Sequence, residues 1–122
     1  MDSRIILYNQ YGRAIAYVDT DGESVYLYSG KPVAWMSDGS FYAYRGKYFG
    51  WMQDGWVMDR SGDCVFFSDI TRDGPEKPPR QARPKRTARS ARPAKKTKEV
   101  TPERPMRSSQ WSLLSSEAFF YQ

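Results

Sequence analysis

The sequence predicts an all-β fold in which eight short antiparallel strands form four hairpin repeats around a pseudo-fourfold axis, closed like a small barrel. Three observations predict it. Gly12, Gly30, Gly46 and Gly62 recur at spacings of 18, 16 and 16. Around each glycine the same residue types return at fixed offsets: Leu7, Val25, Phe41 and Val57 five before it, Ile15, Val33, Phe49 and Val65 three after it, and Tyr17, Trp35, Trp51 and Phe67 five after it. Between the glycines stands a second set of turns, Asp21-Gly22, Asp38-Gly39 and Asp54-Gly55, followed by Asp73-Gly74. A fixed period marks units that cannot bury an apolar face alone and must pack on their neighbours. Asp-Gly between apolar runs is a hairpin turn, because glycine accepts the positive φ of the primed turns.

Strands are expected between the alternating turns, at about 4–8, 13–18, 24–28, 32–36, 40–44, 48–52, 56–59 and 64–68, each of ordinary strand length. Strict period-2 alternation puts Val33 with Trp35, and Phe49 with Trp51, on one face; Ala34 with Met36, and Gly50 with Met52, fall on the other. Both faces are apolar, which suits a sheet curled on itself, and closure removes exposed edges.

Charge divides the 122-residue chain more sharply than its overall +5 suggests. Residues 1–74 carry a net −3 and 15 of the 19 aromatic residues, residues 75–107 a net +9 and seven of the eight prolines, and residues 108–122 a net −1. The expected organisation is therefore a repeat domain over 1–74, a disordered Pro/Lys/Arg-rich linker over 75–107 with few apolar residues to bury, and an aromatic docking segment over 108–122. Trp111, Leu114, Phe119 and Phe120 carry that last segment, with Ser115 or Ser116 placed to cap one short helical turn. Nothing in the first residues reads as a signal peptide and no apolar run approaches the ~20 residues of a spanning helix. One cysteine, Cys64, leaves no internal disulfide. The expected setting is cytoplasmic, with peripheral association at a membrane surface as its variant.

The run Tyr26-Leu-Tyr-Ser-Gly-Lys-Pro-Val-Ala-Trp-Met, its echo Tyr42-Ala-Tyr-Arg-Gly-Lys-Tyr-Phe-Gly-Trp-Met and the closing Gly62-Asp-Cys-Val-Phe-Phe-Ser-Asp resemble the bacterial 4-fold β-flower proteins. The ending Trp111-Ser-Leu-Leu-Ser-Ser-Glu-Ala-Phe-Phe is similar to theirs. The resemblance implies antiparallel hairpins around a central, rather hydrophobic channel; it implies no reaction, and no catalytic residue comes with it.

The residues offer binding chemistry rather than turnover. There is no histidine, which removes the commonest general base and every Ser-His or Cys-His pair. Cys64 reads as a small packed residue, and the aspartates of the turns are accounted for by turn chemistry. No metal-ligand spacing or phosphate loop is present, so no cofactor and no metal are expected. Arg13, Lys31 and Lys47 each follow a repeat glycine and would gather at one rim, either as an anion site beside aromatic walls or as ordinary solvated lysine and arginine. Tyr17, Trp35, Trp51 and Phe67 are either an apolar pocket or core. Two functions are expected from these features. The first is a non-catalytic interaction module whose ring receives an aromatic peptide, its own last segment or a partner's. The second is a lipid or amphiphile binder drawn to an anionic surface by the basic linker. Nucleic acid is expected only as a nonspecific partner of that linker, through its phosphates.

Overall fold

The computed structural model describes residues 3–71 and 73–122. Eight strands follow one another as a simple meander: β1 (Ile5–Tyr8), β2 (Ala14–Val18), β3 (Ser24–Leu27), β4 (Pro32–Ser37), β5 (Ser40–Tyr42), β6 (Tyr48–Gln53), β7 (Trp56–Asp59) and β8 (Cys64–Phe66). Each pairs antiparallel with the next. The ring closes through one antiparallel bridge, in which the amides of Tyr8 and Phe67 donate to each other's carbonyls at 2.8 and 2.9 Å. The predicted fold class is the one observed. The Asp38-Gly39 and Asp54-Gly55 turns have positive φ at both residues, as two-residue primed hairpins require.

Strict alternation does not hold within the repeat, and the reason is a β-bulge made four times. Leu7 pairs with Ala16 and Tyr8 with Ala14, skipping Ile15. Val33, Phe49 and Val65 are skipped in the same way. An extra residue in one strand turns everything beyond it to the opposite face. The column three after the glycine therefore faces the axis, where Leu7, Val25, Phe41, Val57, Val33, Phe49 and Val65 form the inner core. The aromatic column five after it, expected on that same face, lies outside: Tyr17, Trp51 and Phe67 join one outer cluster and Trp35 another with Tyr42, Tyr44 and Tyr48. Ala16, Ala34 and Phe66 move inward in exchange.

What covers the outer aromatics is the basic segment, which is not the disordered linker expected from its composition. Residues 75–107 wrap the ring as a belt with its own nine-residue repeat: Pro75, Pro84, Pro93 and Pro102 begin the units, and Arg80, Arg89, Lys98 and Arg107 hold the sixth place. The amides of Gln81, Ser90, Glu99 and Ser108, nine apart, donate to the carbonyls of Gly12, Gly30, Gly46 and Gly62 at 2.8 to 2.9 Å. Thr87 and Lys96 add bonds to the carbonyls of Tyr28 and Tyr44; the corresponding residues of the flanking units, Pro78 and Pro105, have no amide to give. Close approach explains the glycine. Gly30 has φ +91°, and a Cβ there would run into the carbonyl of Ala88, as one on Gly46 would into that of Thr97.

Low apolar content fails as a sign of disorder here because the belt's counterparts lie on the ring. Arg86 lies over Tyr17, Lys95 over Trp35 and Arg104 over Trp51, and one row on, Arg80 lies over Tyr8, Arg89 over Tyr26 and Lys98 over Tyr42. The ring's carboxylates complete the match, Asp19 with Arg89, Asp21 with Arg92, Glu23 with Lys95 and Asp54 with Arg107. A belt of net +9 lies on a ring of net −3, so opposite charge draws the two together.

Candidate functional site

The glycine-turn rim is the mouth of the ring, and the last fifteen residues of the sequence enter through it. Where β8 meets β1 only through Tyr8 and Phe67, the next stretch of chain takes up the unused edge of β8. The Cys64 amide donates to the Gln110 carbonyl at 2.9 Å, the Ser112 amide donates to the Cys64 carbonyl at 2.8 Å, and Trp111 stands in a parallel bridge with Cys64. Trp111 then packs edge-on against Trp56 at 5.4 Å and against Phe67 at 6.3 Å. Three serines steer the chain from the edge over the mouth. Ser112 Oγ donates to Asp59 Oδ2 at 2.6 Å, Ser115 Oγ donates to the Val65 carbonyl at 2.7 Å while accepting the Gln10 amide, and Ser116 Oγ accepts the Ala118 amide as an N-cap.

The capped segment is one 3₁₀ turn, Glu117–Tyr121. So short a turn does not persist in water, and its order comes from what it buries. Phe119 and Phe120, 0 % and 3 % exposed, fill the axis. Phe119 meets Phe41, Phe49 and Phe66 at 5.7 to 6.0 Å, edge-on to Phe41 and Phe66. Phe120 stacks on Phe66 at 5.7 Å. Leu114 packs on the same inner cluster, while Leu113 points fully outward. At about 1.5–3 kcal/mol for each ring taken from water, the two phenylalanines are the main anchor.

Of the three rim cations singled out in the sequence, Lys31 meets the hook: its Nζ lies 3.1 Å from Tyr121 Oη and 4.7 Å over that ring. Arg13 is exposed and Lys47 half-buried, and neither side chain has a partner among the described residues. Sequence reasoning missed Arg45, one residue before a repeat glycine, which donates to the Gln122 backbone oxygen. It also missed Asp59, whose other carboxylate oxygen accepts the Ser61 and Asp63 amides at 2.9 and 3.1 Å and so fixes the turn that receives Ser112. The outer column of Tyr17, Trp35, Trp51 and Phe67 lines no inner pocket. Trp111, Leu114, Phe119 and Phe120 are brought together with the ring, within one chain.

Cys64 is buried beneath the start of the last segment, its Sγ 3.7 Å from the Ser108 carbonyl, and burial pushes its thiol up to about 11, so at neutral pH it stays protonated. Among the described residues there is no cluster of three or more histidine, cysteine, aspartate or glutamate side chains that could hold a metal ion, and no helix long and apolar enough to cross a membrane.

No curated protein and no solved structure matches this chain. The model of one family, described as 4-fold beta flower protein, does match it, over residues 5–120. That span takes in all eight strands, the belt and the hook as far as Phe120, so ring, belt and hook together are the family's unit, and the chain belongs to the 4-fold beta flower proteins.

Proposed function

We propose that the protein is a non-catalytic binding module: an eight-stranded receptor for an aromatic peptide, whose mouth is occupied by its own hook and opened to a partner by exchange. The observation that carries this reading is the burial of Phe119 and Phe120 in an axis lined by Phe41, Phe49 and Phe66. Around that apolar anchor the polar contacts are those of peptide recognition: one serine hydroxyl to a backbone carbonyl and another to a carboxylate, a cation on a tyrosine ring, and a guanidinium on a backbone oxygen. A ligand that is tethered competes at an effective concentration in the millimolar range, so a partner's peptide must displace it against that concentration.

The test uses the full-length chain carrying Phe119→Ser and Phe120→Ser, with a fluorescent peptide of residues 108–122 titrated into it and into the unaltered protein. The peptide is expected to bind the variant at least ~10-fold more tightly than the unaltered chain, because the tethered competitor is disabled. Binding should persist in high salt. Absence of binding to a variant that keeps its near-UV circular dichroism overturns the reading. Vesicles of anionic lipid in place of the peptide test the amphiphile alternative, in which an acyl chain takes the place of the two phenylalanines.

A further inference from the structure

The belt cations of successive units have counterparts nine residues apart, and the counterparts expose one place where the match fails. Arg92 lies against Asp21 and Ser24, and Lys95 against Glu23. One unit earlier the belt presents Arg83 and Arg86, and one ring repeat earlier, eighteen residues back, Asp21, Glu23 and Ser24 become Ser3, Ile5 and Ile6. The two carboxylates are gone while the two cations remain. In their place is a cleft of about 320 Å³ lined by Ile6, Tyr28, Arg83, Pro84, Lys85 and Arg86. None of Arg83, Lys85 and Arg86 has an ion-pair partner among the described residues, and Arg86 lies over the Tyr17 ring at 5.8 Å. The Tyr28 hydroxyl, at the wall of this cleft, is buried without a hydrogen-bond partner, its residue only 9 % exposed. Burial pushes that hydroxyl's pKa up against the pull of Arg83, so it remains a proton donor at neutral pH.

A buried donor without an acceptor is costly, and one anionic ligand would satisfy it while drawing on three exposed cations that have no ion-pair partner among the described residues. We propose that this cleft, on the outside of the ring and away from the hook, binds a phosphate group, as inorganic phosphate or a small phosphate monoester, with Arg83, Lys85 and Arg86 meeting its charge and the Tyr28 hydroxyl donating to one oxygen. Planar guanidinium groups suit phosphate oxygens in pairs. The cleft is large enough for a small organic group beside the phosphate and has Ile6 and Pro84 to receive it.

The test is calorimetric titration of the full chain with inorganic phosphate, with a small phosphate monoester and with a single-stranded oligonucleotide, all against chloride at equal ionic strength. Saturable binding of phosphate or the monoester is expected, weakened about tenfold by Arg83→Gln and several-fold by Tyr28→Phe, as loss of a hydrogen bond to a charged group predicts. Lys96→Gln, a belt cation in another unit, should leave it unchanged. Which of the two phosphates binds more tightly tells whether the organic group is recognised. The proposal is overturned if phosphate heats match chloride. It is equally overturned if Lys96→Gln weakens binding as much as Arg83→Gln, or if only the oligonucleotide binds, since those results describe general attraction to a basic belt.

Discussion

The inner and outer faces of the ring are built from one repeat yet are sealed by different chemistry. Inside, aliphatic residues and phenylalanines close on two rings of the hook. Outside, tyrosines and tryptophans meet the arginines and lysines of the belt, with carboxylates set among them. The bulge separates the two: by sending the third position inward and the fifth outward it sorts aliphatic from aromatic residues, whose ring faces then lie where cations can reach them. A seal of the first kind depends on shape and area; one of the second depends on ionic strength.

The largest break of that contrast is Phe119→Ala. It empties the axis and is expected to cost about 3–5 kcal/mol in urea unfolding, by the same amount at low and at high salt. A deficit that shrinks in salt would mean the hook is held by Lys31 and Arg45 rather than by its rings. Next is Gly30→Ala against Gly22→Ala. Both glycines have positive φ, +91° and +70°, but a Cβ on Gly22 meets nothing within 4 Å whereas one on Gly30 displaces the belt at Ala88. The left-handed conformation alone costs alanine roughly 1–2 kcal/mol. Gly30→Ala should exceed Gly22→Ala by at least about 1 kcal/mol, the worth of the belt's backbone bond at that turn. Equal losses would show that the belt contributes nothing there.

How much of this was legible depended on which regularity was followed. Turn glycines, apolar columns and the aromatic ending are local and periodic, and they led to the ring and to the docking residues Phe119 and Phe120. The bulge was not legible, because Ile15, Val33, Phe49 and Val65 look like ordinary strand residues and only the pairing reveals that they have no partner opposite. The belt was legible in principle. Pro75, Pro84, Pro93 and Pro102 recur at a strict nine, but a low apolar content argues for disorder only when the segment has no partner, and its partners are aromatic rings that alternation had placed inside. A smaller effect tests that correction. Arg89→Gln removes a cation shared by Asp19 and the Tyr26 ring, and being half exposed it should cost about 1 kcal/mol or less, vanishing at high salt. Thermal unfolding at two ionic strengths reads it directly.

The smallest effect at neutral pH grows with alkali, and it concerns an outer-face group that the belt leaves unsatisfied. The Tyr44 hydroxyl is buried without a hydrogen-bond partner, and burial, reinforced by Tyr26, pushes its pKa from 10.0 up to about 12. A folded state that holds this proton more tightly than the unfolded chain has its full contribution below pH 10 and loses it as the pH rises from 10 through about 12. Tyr44→Phe removes both the unpaired hydroxyl and the titration. At pH 7 the variant should be as stable as the parent or slightly more so, since no hydrogen bond is lost. Between pH 10 and 12 the difference in its favour should widen, which urea unfolding at three pH values would show. Parallel alkaline losses in both proteins would mean that the hydroxyl reaches solvent, and that the belt over this part of the outer face is looser than the one over Gly30 and Gly46.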